Sequence, residues 1–146
     1  MTILECDEYN NNSYFLKDII RNMNINMAKC KWIVADLDLI PLFNGDYSGI
    51  GGASFFNIAH DFCTKIEKEK IAVLNNKELF EILEFTQTVR NGVFICLEEK
   101  YSIDINTYCP SVESRKPEEM YDNRAKCEIK ILDGELFFIL EGNKKI

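Results

Sequence analysis

The segment KCEIKILDGELFFILE, residues 126–141, reads as a β-hairpin. Asp133-Gly134 accepts the positive φ angles of a type I′ turn, whose twist matches that of the strands it joins. Cys127, Ile129 and Ile131 alternate with Glu128 and Lys130, so the first strand is expected to bury one face and wet the other. Just upstream, GVFICLEE (92–99) and YSIDINTY (101–108) read as two further strands around a charged turn, followed by the long loop PSVESRKPEEMYDN (110–123).

The earlier chain is more helical. TILEC (2–6) reads as a strand, and SYFLKDIIRNM places Phe15, Leu16, Ile19, Ile20 and Met23 at helical spacing after Asn12 or Ser13 as cap. KWIVADLDLI (31–40) reads as a strand closed by Pro41. Strict alternation puts Ile33, Ala35, Leu37 and Leu39 on one face and Trp32, Val34, Asp36, Asp38 and Ile40 on the other. After a long connection, Ser54 caps a second helix with Phe55, Ala59, Phe62, Cys63 and Ile66 on one face. IAVL (71–74) is a short strand, and NNKELFEILEF an Asn-capped helix with Leu79, Phe80 and Leu83 inward. Helices early and antiparallel strands late imply one α+β domain over residues 1–146. The expectation is a mixed, mostly antiparallel sheet of about six or seven strands with about three helices.

At 146 residues the chain can bury a core without metal or disulfides. Its 17 basic and 24 acidic side chains leave a net charge of −7, a field that repels nucleic acid and anionic membranes and attracts basic partners. No basic-apolar leader or membrane-length apolar run is visible, so a cytoplasmic location is expected. Cys6, Cys30, Cys63, Cys96, Cys109 and Cys127 contain no CxxC pair and His60 is the sole histidine. Zinc is therefore not expected, and the thiols read as small buried hydrophobes. No cofactor is expected either.

Three motifs invite chemistry. Gly49-Ile-Gly-Gly-Ala-Ser54 fits only part of a dinucleotide fingerprint, and its strand ends too early. It reads better as a flexible helix-capping connection. Asp36 and Asp38 stand two apart on a strand, Cα atoms roughly 6.5–7 Å apart, and with Asp46 could hold a hard cation or share acid–base work. His60 and Cys63 share a helical face as a nucleophile and its base would. Tyr47, Tyr108 and Tyr121 lie in or beside loops, where an amphipathic ring can anchor a partner.

The stretches WIVADLDLIP and KELFEILEFTQTVRNGVF, in a short acidic α+β chain, resemble bacterial toxin-immunity proteins. That resemblance implies a non-enzymatic inhibitor that blocks a toxin's active site or substrate groove, the toxin being a basic protein such as a nuclease. The expected partner-binding patch is Asp36, Asp38, Asp46 and Tyr47, with Glu118, Glu119 and Tyr121 from the second loop. The alternatives are a small enzyme using the glycine segment with Asp36/Asp38 or His60/Cys63, and a scaffold module homodimeric through a sheet edge.

Overall fold

A computed structural model describes residues 1–8, 10–41, 62, 66, 70–113 and 116–142. Six strands form one sheet: β1 (Thr2–Glu5), β2 (Cys30–Pro41), β3 (Ile71–Asn75), β4 (Thr86–Glu98), β5 (Cys127–Leu132) and β6 (Leu136–Glu141). Their order is β1-β6-β5-β4-β2-β3. Every pairing is antiparallel, in keeping with the mostly antiparallel sheet expected, with no parallel pair among the described strands. The β5–β6 turn has φ of 54° at Asp133 and 71° at Gly134, as the dipeptide predicts.

One face carries α1 (Ser13–Arg21) and α2 (Asn76–Glu84), two helices among the described residues against about three expected. Leu16 and Ile20 from α1 and Leu79, Ile82 and Leu83 from α2 pack on Trp32, Phe94, Ile129 and Phe137. The helix expected after Ser54 lies mostly outside the described residues; Phe62 and Ile66 are helical and meet this same core. The capping box of α2 forms in full. Asn75 Oδ1 accepts the Glu78 N–H at 2.8 Å, and Glu78 Oε1 accepts the Asn75 N–H at 2.9 Å.

Asn12 sits at the N-cap of α1, yet its side chain makes no cap bond. Fully buried, it donates to the carbonyls of Val89 (2.8 Å) and Gly134 (2.9 Å) and accepts the Val89 N–H (2.7 Å). It therefore replaces a missing strand neighbour at the start of β4 and ties that strand to the β5–β6 turn.

The middle of β2 corrects the alternation read from sequence. Ala35 pairs with Val93 and Asp38 with Asn91, so β2 holds one residue more than β4 between these pairs. Asp36, at φ 49°, takes up the irregularity, a left-handed conformation that aspartate tolerates better than most residues. The extra residue reverses parity. Leu37 and Leu39 join Trp32 and Val34 under the helices, whereas Ile33 and Ala35 face the other way. Unbroken alternation would have driven Asp36 and Asp38 into the apolar core, at a cost of several kcal/mol per charge. Opposite, Gly92 leaves room for this path: a Cβ there would lie 3.2 Å from Leu37 Cδ1 and 2.9 Å from the Phe94 ring.

The second face is covered as well, by the segment 99–126, whose described residues form no helix or strand. Tyr101, Ile103, Tyr108, Val112, Met120 and Tyr121 pack there on Ile33, Ala35, Val93, Ile95 and Leu97. The strand expected at 101–108 does not form, for two reasons. Both edges of β4 are already taken by β2 and β5. Asp104 also turns the chain, its side chain accepting the Asn106 N–H and its carbonyl those of Thr107 and Tyr108.

Replacing Asn12 by Ala should lower unfolding free energy by about 2–4 kcal/mol, because buried backbone groups on β4 and the turn lose their partner. Urea denaturation measures this; a loss under about 0.5 kcal/mol would show that Asn12 does not tie these elements.

Candidate functional site

The cover on the second face is fastened by two charged residues of β5. Glu128 stands between Ile95 and Leu140, and Lys130 between Val93 and Phe138. The expected wet face is thus dry: Glu128 is 0% and Lys130 3% exposed. The reason lies in the partners that the cover brings. Glu128 Oε1 and Oε2 accept the N–H groups of Tyr121 and Asp122, each at 2.8 Å. Lys130 Nζ donates to the carbonyls of Glu119 (2.6 Å) and Lys116 (3.3 Å). Backbone groups that an irregular segment cannot pair within itself are satisfied by side chains from the strand beneath.

A second knot holds the C-terminal part of the segment. Asp122 receives Tyr108 Oη–H at 2.9 Å, and Arg124 Nε and Nη2 at 3.0 and 2.9 Å. The Arg124 guanidinium lies 5.1 Å from the Tyr101 ring centroid, and Tyr108 meets Tyr121 edge to face. Lys31 on β2 donates to the Tyr101 carbonyl. Near the β2 bulge, Asp36 Oδ2 accepts the Val112 N–H at 2.9 Å.

These partners set the carboxyl acidities. Burial raises Glu128 above the ordinary range, opposed by the N–H groups of Asp122 and Tyr121 and by the Lys130 charge. Folding takes up a proton there, so the stability contributed by Glu128 falls as pH rises from the ordinary value of about 4.3 through the raised one. Asp122 has the opposite sign. Burial pulls its carboxyl up, but the bonds from Arg124 and Tyr108 outweigh this and lower it. Its contribution is present above the unfolded value and lost as pH falls through the lowered one.

The sequence-predicted residues divide into three groups. Asp36 and Asp38 are exposed near the bulge, and Asp38 lies 3.7 Å from Arg90 in a solvent-exposed pair. Glu118 and Glu119 project exposed carboxylates from the cover, while the Glu119 carbonyl is held by Lys130. Asp36 and the cover share one side of the sheet. Lys130 lies opposite Val93, which lies opposite Ala35, about 10 Å across two strand spacings. Tyr121 is half-buried and committed to the fold: its N–H meets Glu128, its hydroxyl accepts the Cys109 N–H at 3.0 Å, and its ring packs on Tyr108. Asp46, Tyr47, His60 and Cys63 lie outside the described residues.

Sequence reasoning missed Glu128, Lys130, Asp122 and Arg124. A signal was present in the neighbouring strands. GVFICL and LFFIL are apolar at successive positions, which marks strands buried on both faces. A strand between two such neighbours cannot keep a wet face.

Comparison with protein-family models, with curated proteins and with solved structures finds no match to this chain. Among the described residues, no three His, Cys, Asp or Glu side chains converge as a metal site, and no helix is long and apolar enough to cross a membrane.

Glu128→Gln and Lys130→Met should each cost about 3–5 kcal/mol in urea unfolding, and the double variant much less than their sum. Additive losses would show that the two charges act separately. The stability of the parent relative to Glu128→Gln should be largest near pH ~4 and shrink toward pH ~7; a gap that widens with pH contradicts the assignment.

Proposed function

We propose that this chain is a non-catalytic binding protein that neutralises a basic protein partner, in the manner of an immunity protein acting on its toxin. The observation that supports the reading best is the pinned cover itself. Segments longer than about 12–15 residues without regular structure are uncommon in small domains and are often functional. Here the polar groups of such a segment turn inward to Glu128, Lys130 and Asp36, while the carboxylates of Glu118 and Glu119 turn outward.

A rigid surface of this kind loses little entropy when it docks, and exposed acids steer a cationic partner toward it. Asp36 and Asp38 extend the same side of the sheet. The strongly perturbed groups among the described residues favour binding over chemistry. The Cys30 thiol is pushed up to about 12, chiefly by burial, the Cys96 thiol is raised further by its neighbour Cys127 and by burial, and Tyr108 is raised by burial and by Asp122. All three sit in packed surroundings, and raised thiols are poor nucleophiles.

Changing Asp36, Asp38, Glu118 and Glu119 together to Lys should slow association at least ~10-fold at low ionic strength and flatten its salt dependence. The ligand is the cationic protein that the immobilised parent recovers from cells carrying its gene, and the unfolding midpoint serves as control. Equal rates for parent and variant at low salt would refute this surface.

A further inference from the structure

A trough of about 710 Å³ opens at the end of the sheet where β2 and β5 begin and β4 and β6 finish. Its walls include Met23 and Ile25 from the connection after α1, Glu98 at the end of β4, Tyr101, and Arg124 and Lys126 just before β5. A second cavity of about 270 Å³ shares Ile25, Glu98 and Lys126 with it and adds Lys29.

Basic groups gather here although the chain carries a net charge of −7. Lys126 Nζ lies 2.9 Å from Glu98 Oε1, and Lys100 Nζ 3.3 Å from Oε2 of the same carboxylate, which these two cations hold below the ordinary range. Arg124 spends Nε and Nη2 on Asp122, and its Nη1 has no partner among the described residues. Lys29 makes no ion pair among the described residues either. The charges of Arg124 and Lys126 both act on the Tyr101 phenol, which places them beside one ring. Their backbone is fixed from two strands. The Lys126 N–H donates to the Cys96 carbonyl, and the Lys126 carbonyl accepts the Gly142 N–H, each at 2.8 Å. A Cβ at Gly142 would collide with the Ala125 carbonyl, so glycine is what lets β6 close this tightly on the segment.

We propose that the trough binds a small organic phosphate monoester, its phosphoryl oxygens received by Arg124 and Lys126 and its apolar part by Met23 and Ile25. A tetrahedral dianion presents three acceptor oxygens and engages two cations at once, where a carboxylate presents two oxygens in one plane. Glu98 neutralises Lys126 in the free protein, so an entering anion competes with a carboxylate already in place, and a dianion does so better than a monoanion. The volume suits a small ligand, and donors held on a clamped backbone lose little freedom when it binds. Asp36 stands farther along β2 from its start at Cys30, about 20 Å away, so the trough is separate from the acidic surface.

The probe is phenyl phosphate, titrated into the full chain and followed by backbone amide NMR shifts, with inorganic phosphate and benzoate as comparison anions. Saturable shifts are expected at the amides of Ile25, Arg124 and Lys126, and each comparison anion should bind at least ~10-fold more weakly. Lys126→Gln, which leaves the Arg124–Asp122 pair intact, should weaken phenyl phosphate at least ~10-fold with little change in the unfolding midpoint. Glu98→Gln should act the other way and tighten binding several-fold, because it removes a like charge from the trough; a merely structural Glu98 predicts a loss or no change. Absence of saturable shifts at millimolar ligand, shifts indifferent to both variants, or either comparison anion bound as tightly as phenyl phosphate would overturn the proposal.

Discussion

Glu128 and Lys130 stand two residues apart on β5, each between apolar residues of β4 and β6, and both are shut off from water. Charges so placed cost several kcal/mol each unless every lone pair and proton is engaged. The segment over them has the complementary difficulty, since its irregular backbone buries N–H and C=O groups without a ladder to join. Carboxylate meets two N–H groups, ammonium meets two carbonyls, and the two requirements cancel. The sheet could not hide its second apolar face without the cover, and the cover would have no fixed conformation without the pair.

The bulge in β2 serves the same partition. By shifting one residue at Asp36 it sends Leu37 and Leu39 beneath the helices and keeps Asp36 and Asp38 at the surface. Asp36 then reaches the cover through the Val112 N–H. Charged residues of the sheet thus do two kinds of work on one side of the molecule. Those in the centre hold the cover down; those at the periphery stay wet. A surface arranged this way is stiff where a partner would press and charged where a partner would approach, which is the physical basis of the inhibitor reading.

Much of the architecture was legible in local chemistry. Asp133-Gly134 announced the hairpin, the Asn cap the start of α2, and the apolar alternation of KWIVADLDLI the strand β2. What escaped were the features decided by tertiary neighbours. Alternation through Asp36 looked regular because the aspartates fell at even positions, and only the core's refusal of charge reverses their parity. YSIDINTY has strand-like composition, but strand propensity needs an open edge, and β4 has none. Glu128 and Lys130 looked solvent-facing because a single strand does not reveal what covers it. Of the candidate site, Asp36, Asp38, Glu118 and Glu119 were readable as exposed acids. Tyr121 looked like a loop anchor, yet its contacts point inward.

The direct test of the buried clamp is amide hydrogen exchange at Tyr121 and Asp122, whose N–H groups end on the Glu128 carboxylate. Although they lie outside any strand or helix, these amides should exchange as slowly as those of β5, opening only when the whole domain unfolds. Exchange at the rate of an exposed loop, with β5 itself protected, would mean that the cover lifts freely and that the buried pair does not hold it.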